Sequence, residues 1–206
     1  MYNRDMKTIV WIIILVILIG AVTVIFTGDK TPKEVIDINT SDTESLTPFM
    51  LLKNAEITVP DSDTVVTLTD GKGSFEIVPD SASLGRVTLL DDMSAQWSKE
   101  DRTDLAVILA VSTGGTGTFY YVVIFDVSDD VLTQKSEMLI GDRIKVTRVG
   151  IGELVHDPEA NYRVTVKTLV REEGEPFAAE PTVPKTRTFY VTNQILEEVE
   201  VGKDDT

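Results

Sequence analysis

The sequence contains no cysteine and only one histidine, His156. The absence of cysteine excludes disulfides, thiol catalysis, thiolate metal sites and a lipid anchor on a cysteine. Structural zinc is also disfavoured, because such sites usually need several His or Cys ligands. His156 lies in the turn-like stretch ELVHDPEANY, where we expect a histidine in a surface loop. A Ser/His/Asp triad stays open, although no G-x-S-x-G or similar local signature supports it.

Basic residues are also few: 19 Lys and Arg stand against 34 Asp and Glu, which gives a formal net charge of −15. The long-range field of such a chain disfavours nucleic acid and anionic lipid headgroups as partners. It permits cations and basic proteins. Solubility alone is a further explanation of the acidity.

Residues 8–26, TIVWIIILVILIGAVTVIF, carry no charge and are almost wholly apolar. At a helical rise of about 1.5 Å per residue they cover about 28 Å, close to the hydrocarbon thickness of a bilayer. A cleaved signal peptide is the alternative, but Val24, Ile25 and Phe26 are poor residues for a cleavage site. The sequence therefore predicts an uncleaved signal anchor.

Arg4 and Lys7 precede this segment, and basic flanks stay on the cytoplasmic side. We expect a single-pass protein of the cell membrane with its C-terminal domain outside the cytoplasm. An exported domain without cysteine fits a bacterial envelope best. The predicted parts are a cytoplasmic N-terminus (1–7), the transmembrane anchor (8–26), a tether (27–47), an extracytoplasmic β domain (48–201) and an acidic tail (202–206).

The pattern from residue 48 onward is typical of β-strands. Leu105–Val111 and Phe119–Val127 are apolar on both faces, which predicts central strands that are covered on both sides. Tyr162–Val170 alternates cleanly, which predicts a strand with one wet face. The fold class is therefore all-β, a sandwich or partly open barrel of about eight strands. The other strand candidates are Ala55–Val59, the two halves of TVVTLTDGKGSFEIV joined by a tight turn at Asp70–Gly73, Arg86–Leu90, Ile144–Val149 and Arg187–Val191.

The glycine-rich stretch STGGTGT, residues 112–118, leads into a strand rather than a helix. It lacks the Walker lysine and the G-x-G-x-x-G spacing, so we expect the bend of a hairpin and not a phosphate loop. Short helical turns are expected within Thr43–Lys53 or Asp92–Glu100. Residues 172–185 contain three prolines and predict an exposed excursion.

Paired carboxylates are frequent, as at Asp61 and Asp63, and in an acidic domain we expect most of them to be solvated turns. Calcium binding is the better functional interpretation of an acidic loop, since calcium takes several oxygen ligands. The nearest candidate, DDMSAQWSKEDRTD at residues 91–104, lacks the spaced D-x-D-x-D-G arrangement.

Three segments occur in an order that resembles an uncharacterised extracytoplasmic β domain of bacterial envelope lipoproteins and anchored proteins. They are NAEITVPDSDTVVTLTDGKGSFE, TDLAVILAVSTGGTGTFYYVVIF and LIGDRIKVTRVGI, and EPFAAEPTVPKTRTFYV adds a fourth. The similarity covers about residues 51–191. It implies an exported β domain and brings no established reaction with it.

The resemblance also singles out four residues. The family has a D-L-N-G-D-G loop that looks like a calcium loop, and the matching stretch here, SKEDRTD, offers Asp101 and Asp104 but no glycine. Asp142 and Arg143 match a G-D-R motif. For this pair a structural salt bridge or turn cap and a ligand site both stay open.

We therefore expect a binding or structural role at the bacterial cell envelope, without catalysis and without a cofactor. The expected partners are the membrane, through the N-terminal helix, and an envelope protein or glycan, with nucleic acid excluded. The alternatives are a calcium-stabilised adhesion module and a hydrolase that uses carboxylates of the 172–185 loop.

Overall fold

Eleven β-strands and one short helix form the regular structure of the described part of the chain. The computed structural model describes residues 47–78, 80, 82–100, 102–154 and 161–199. The predominance of strands confirms the all-β class. The elements are α1 (Pro48–Leu52), β1 (Glu56–Thr58), β2 (Val65–Thr67), β3 (Lys72–Glu76), β4 (Leu84–Lys99), β5 (Arg102–Ser112), β6 (Phe119–Ser128), β7 (Val131–Asp142), β8 (Lys145–Glu153), β9 (Tyr162–Val170), β10 (Val183–Thr192) and β11 (Ile195–Val199).

Helix α1 begins at Pro48, and Thr47 is its N-terminal capping residue. The Thr47 hydroxyl oxygen accepts a hydrogen bond from the Met50 N–H at 3.4 Å, and Pro48 lies in the first turn, where its missing N–H costs no intrahelical bond. This helix confirms the turn predicted within Thr43–Lys53. No helix among the described residues is long and apolar enough to cross a bilayer. The predicted anchor, residues 8–26, lies outside the described residues.

The strands form two antiparallel meanders and one small hairpin. Strands β3 to β7 make a five-stranded sheet in chain order, and β8 to β11 make a four-stranded sheet in the same manner. Strands β1 and β2 pair only with each other. All these described residues belong to one compact unit.

The five-stranded sheet is the middle layer of three. Leu105, Val107 and Leu109 of β5 pack against the β1–β2 hairpin and α1, whereas Ala106 and Ile108 pack against the four-stranded sheet. All five side chains are almost completely inaccessible to water. The prediction that β5 and β6 are covered on both faces is therefore confirmed.

The four-stranded sheet has one buried face. Tyr162, Val164 and Val166 of β9 are fully buried in the core, whereas Arg163 and Lys167 on the other face of the strand are exposed. The prediction of a strand with one wet face is confirmed.

One local prediction was wrong. Asp92–Glu100 is not helical, because β4 continues through it to Lys99 after a bulge between Leu89 and Ser94 and pairs with β5. Pairing to a central strand outweighs the weak helical preference of this stretch. The prediction of two strands joined by a tight turn in TVVTLTDGKGSFEIV is confirmed: β2 and β3 flank a turn with Gly71 at φ 76°, and they belong to different sheets.

Strands β7 and β11 were not anticipated from the sequence. In β7 exposed positions alternate with half-buried ones and Ile140 alone is buried, because the strand lies at the edge of its sheet. Strand β11 carries Glu197 and Glu198, which resemble the acidic tail that follows. Edge strands need few apolar residues, so periodicity does not reveal them.

Asp104 is a fully buried carboxylate between the two large sheets. Its Oδ2 accepts a hydrogen bond from the Tyr162 hydroxyl at 2.9 Å, and its Oδ1 accepts one from Gln194 Nε2 at 3.0 Å. Arg102 donates to both oxygens and pairs with the charge. Burial alone would lower the pKa of Arg102, but the hydrogen bond and the charge of Asp104 raise it overall. The carboxylate is therefore fully engaged in joining β5 to β9 and to the β10–β11 turn.

Replacement of Asp104 tests how much this carboxylate contributes to the stability of the fold. Asp104→Asn turns an amide NH₂ toward groups that themselves donate, so the free energy of unfolding should fall by about 3 kcal/mol. Asp126→Asn is the matched control: Asp126 lies opposite Asp104 on β6 and forms a part-exposed ion pair with Lys135 at 3.7 Å. Its loss should cost less than about 1 kcal/mol. Urea unfolding of both variants measures the difference, and equal midpoints would contradict the role of Asp104.

Candidate functional site

The segments that carry the family resemblance meet at one end of the five-stranded sheet. The Asp142 Oδ1 accepts a hydrogen bond from the Thr118 N–H at 3.1 Å, and the Arg143 N–H donates to the Thr118 carbonyl at 2.7 Å. The Arg143 guanidinium also pairs with Asp142 Oδ2 at 2.6 Å. The G-D-R turn and the glycine-rich bend therefore hold each other. This geometry is that of a capped turn, the structural alternative considered for this pair.

The 172–185 excursion reaches the same place. The Phe177 ring, whose exposed fraction is 72%, lies 3.9 Å from the guanidinium carbon of Arg143. Arg171 fixes the base of the excursion by donating to the carbonyls of Ala179 at 2.8 Å and Arg143 at 3.1 Å. The excursion is thus folded back onto the turn between β7 and β8.

The four residues singled out by the resemblance do not form one site. Asp142 ends β7 and Arg143 follows it in the connection to β8, whereas Asp104 is buried in the core between the sheets. Asp101 and His156 lie outside the described residues. Among the residues that are described, no three His, Asp or Glu side chains are grouped closely enough to hold a metal ion.

A cleft of about 290 Å³ lies beside the glycine-rich bend, where the β1–β2 connection crosses the five-stranded sheet. Its walls are mainly apolar and include three aromatic side chains, Phe75, Phe119 and Tyr121. Phe75 reaches the cleft because its cross-strand partner is Gly85: a Cβ there would lie 2.3 Å from the ring. The glycine lets the ring lie flat across the strand and form a wall.

One carboxylate stands at this cleft. Asp61 is exposed, and its Oδ2 accepts a hydrogen bond from the Tyr121 hydroxyl at 2.8 Å. Burial, and then the hydrogen bond to Asp61, raise the pKa of the Tyr121 phenol, which therefore stays a donor at neutral pH. Within the described part of the chain no Lys, Arg or His pairs with Asp61.

A second carboxylate supports the loop that holds Asp61. Glu137 Oε1 accepts the Asp61 N–H at 3.1 Å, and Glu137 Oε2 accepts Gln134 Nε2 at 2.6 Å. Gln134 Oε1 in turn accepts the Thr58 N–H at 3.1 Å. Both oxygens of Glu137 are thus engaged in holding the loop against β7, and they add negative potential beside the cleft.

The sequence does not predict this site. The expectation of a solvated turn at Asp61 and Asp63 leaves out the partners of Asp61, which lie 60 and 76 positions away along the chain. Contacts between residues so far apart in the chain leave no local sequence pattern from which they could be predicted. The aromatic residues of the FYY stretch gave the one available signal, but alternation alone assigned them to the core.

Comparison of the chain with protein-family models, with curated proteins and with solved structures returned no match.

The hydrogen bond between Tyr121 and Asp61 should hold the loop of residues 59–64 in place. Tyr121→Phe removes one hydrogen bond with little change in packing, so the free energy of unfolding should fall by about 1 kcal/mol. Amide hydrogen exchange at Asp61 should accelerate. Tyr120→Phe is the control, since no hydrogen bond of its hydroxyl is found among the described residues. Equal rates of amide exchange at Asp61 in the two variants would show that the Tyr121 hydroxyl does not hold this loop.

Proposed function

We propose that the chain is a membrane-anchored extracytoplasmic binding module of the bacterial cell envelope, and that the cleft receives a cationic group on an apolar stem. The observation that carries this proposal is the pairing of aromatic walls with Asp61, a carboxylate that no cation of the described chain neutralises. The apolar run at residues 8–26 and its basic N-terminal flank support the anchoring.

The chemistry of the cleft favours a primary ammonium or a guanidinium. Aromatic faces attract cations through the negative potential of the ring, and the stem gains from leaving water. Asp61 Oδ1 makes no hydrogen bond within the described residues, so it is available as an acceptor. The acidic charge of the chain, −15, adds a field that draws cations toward the domain.

Binding fits the arrangement better than hydrolysis. The two carboxylates nearest the cleft are Asp61 and Glu137, and they differ in their contacts. Both oxygens of Glu137 accept hydrogen bonds from backbone and amide donors, so Glu137 is not available for catalysis. In the excursion, Glu175 accepts the Glu172 N–H at 3.0 Å, and both residues are exposed to water. A glycosidase acid needs instead an apolar niche that raises its pKa. Among the described residues no observation favours calcium, since the Asp104 oxygens are occupied by Arg102, Tyr162 and Gln194.

Ligand selectivity tests the cleft. The full chain in a neutral detergent should bind n-pentylammonium with a dissociation constant on the order of 1 mM and n-pentanol about tenfold more weakly. NMR shifts of Phe119 and Tyr121 report the site. Asp61→Asn should abolish the preference for the amine. Asp129→Asn makes the same charge change in the remote β6–β7 turn and should preserve it. Equal affinity of the native protein for amine and alcohol argues against the proposal.

The anchoring has its own test. N-terminal sequencing of the protein recovered from membranes should find residues 1–26 still attached. Protease added to the outer side of the membrane should digest the domain at 48–201. A mature chain that begins near residue 27 would overturn the uncleaved anchor, and a protected domain would overturn the orientation.

A further inference from the structure

Three cationic side chains lie together on the exposed face of the four-stranded sheet. Arg148 belongs to β8, and Arg163 and Lys167 belong to β9. All three are exposed, and within the described residues none of them forms an ion pair or a side-chain hydrogen bond. In contrast, Arg102 and Arg187 are paired with carboxylates. The three cations therefore form a local surface of opposite sign to the net charge of the chain, which is −15.

Two glycines open a groove between these cations. The groove measures about 170 Å³ and includes Gly150 and Gly152 of β8. The Arg163 side chain lies across Gly152, where a Cβ would come within 3.0 Å of Nε. A Cβ at Gly150 would meet no atom within 4 Å. The fold therefore does not require glycine at position 150 for space, yet the missing side chain leaves the surface of the strand accessible. We call this surface the basic groove.

The strand register sets the spacing of the charges. Arg148 lies opposite Lys167, and Gly152 lies opposite Arg163. Arg163 and Lys167 are four residues apart on one face, which is about 13 Å along the strand. Thr165 lies between them. The basic groove thus presents two positive centres along one line, separated by a hydroxyl and by bare backbone.

We infer that the basic groove binds an extended acidic polysaccharide. A linear polymer with repeated anionic groups matches positive centres spaced along a strand. Its hydroxyl groups find partners in Thr165 and in Thr186, which lies opposite Lys167 on β10. Tyr190, half-buried opposite Arg163, offers a ring against which a sugar can pack. An acidic peptide would instead favour main-chain pairing with the edge of a sheet, which the side chains of the basic groove do not provide.

The acidity of the chain does not oppose this binding at close range. The Debye length at physiological ionic strength is about 8 Å, so distant carboxylates are screened while the three local cations act directly. The basic groove is also separate from the cleft proposed above: the cleft lies on the opposite side of the five-stranded sheet. The inference therefore goes beyond the proposed function and does not depend on it.

Defined polymers test the inference with the full chain in a neutral detergent. Oligomers of polygalacturonate should bind, and fully methyl-esterified oligomers of the same length should bind at least about tenfold more weakly. Affinity for polygalacturonate should fall as sodium chloride rises from about 50 to about 300 mM. Poly-L-glutamate is the peptide competitor. If it binds as tightly as polygalacturonate, or if esterification changes nothing, the inference is overturned.

Substitutions separate the basic groove from the general charge of the protein. Arg148→Gln with Arg163→Gln should weaken polygalacturonate binding at least about tenfold. The matched control is Lys72→Gln with Arg86→Gln, which removes two exposed cations of β3 and β4 on another sheet and should leave binding unchanged. An equal loss of polygalacturonate affinity in both double variants would show that binding depends on total charge, and it would contradict binding at the basic groove.

Gly150→Val supplies an independent test that keeps every charge. A Cβ at this position meets no atom within 4 Å, and a β-branched residue suits a strand, so the unfolding midpoint should stay the same or rise. Polygalacturonate binding should nevertheless fall at least about tenfold, because the valine fills the groove. Unchanged binding by a stably folded Gly150→Val variant would contradict the inference.

Discussion

The buried carboxylate of Asp104 determines how the two large sheets stack. Removing a charge from water is costly, and the cost is offset only where Arg102, Tyr162 and Gln194 all reach it. Gln194 reaches it from a two-residue turn with φ of 68°, a backbone region that favours glycine. The chain thus accepts local strain for this contact. The Gln194 carbonyl also accepts Ser136 Oγ at 2.6 Å, which ties the same turn to β7.

This constraint also fixes which faces remain for binding. With Tyr162 turned inward to Asp104 and stacked on Trp97 at 4.7 Å, alternation along β9 places Arg163 and Lys167 outward. On the other side of the five-stranded sheet, Tyr121 points toward Asp61 and the aromatic cleft. The domain therefore offers an acidic aromatic cleft and a basic groove in separate places. A domain that contacts two unlike chemical groups needs such a division.

Much of the fold was predictable, because the strongest signals were those of buried strands. Two-sided apolar runs identified β5 and β6, and alternation identified β9 with its bounds. Edge strands such as β7 gave little signal. The site was less predictable: Asp142 and Arg143 were recognised as a pair, but Asp61 meets Tyr121 only through the fold. Alternation predicts that Arg163 and Lys167 lie on the wet face of a strand. Their proximity to Arg148, however, depends on the pairing of β8 with β9.

The central claim is that the domain carries two independent sites of opposite chemical preference. Amide chemical-shift mapping of the full chain in a neutral detergent, with n-pentylammonium and polygalacturonate added singly and together, tests it most directly. We predict that the amine shifts residues around Phe119 and Tyr121, that the polymer shifts residues around Gly150 and Thr165, and that neither ligand alters the affinity of the other. Overlapping sets of shifted residues, or shifts that follow total charge over the whole surface, would contradict it.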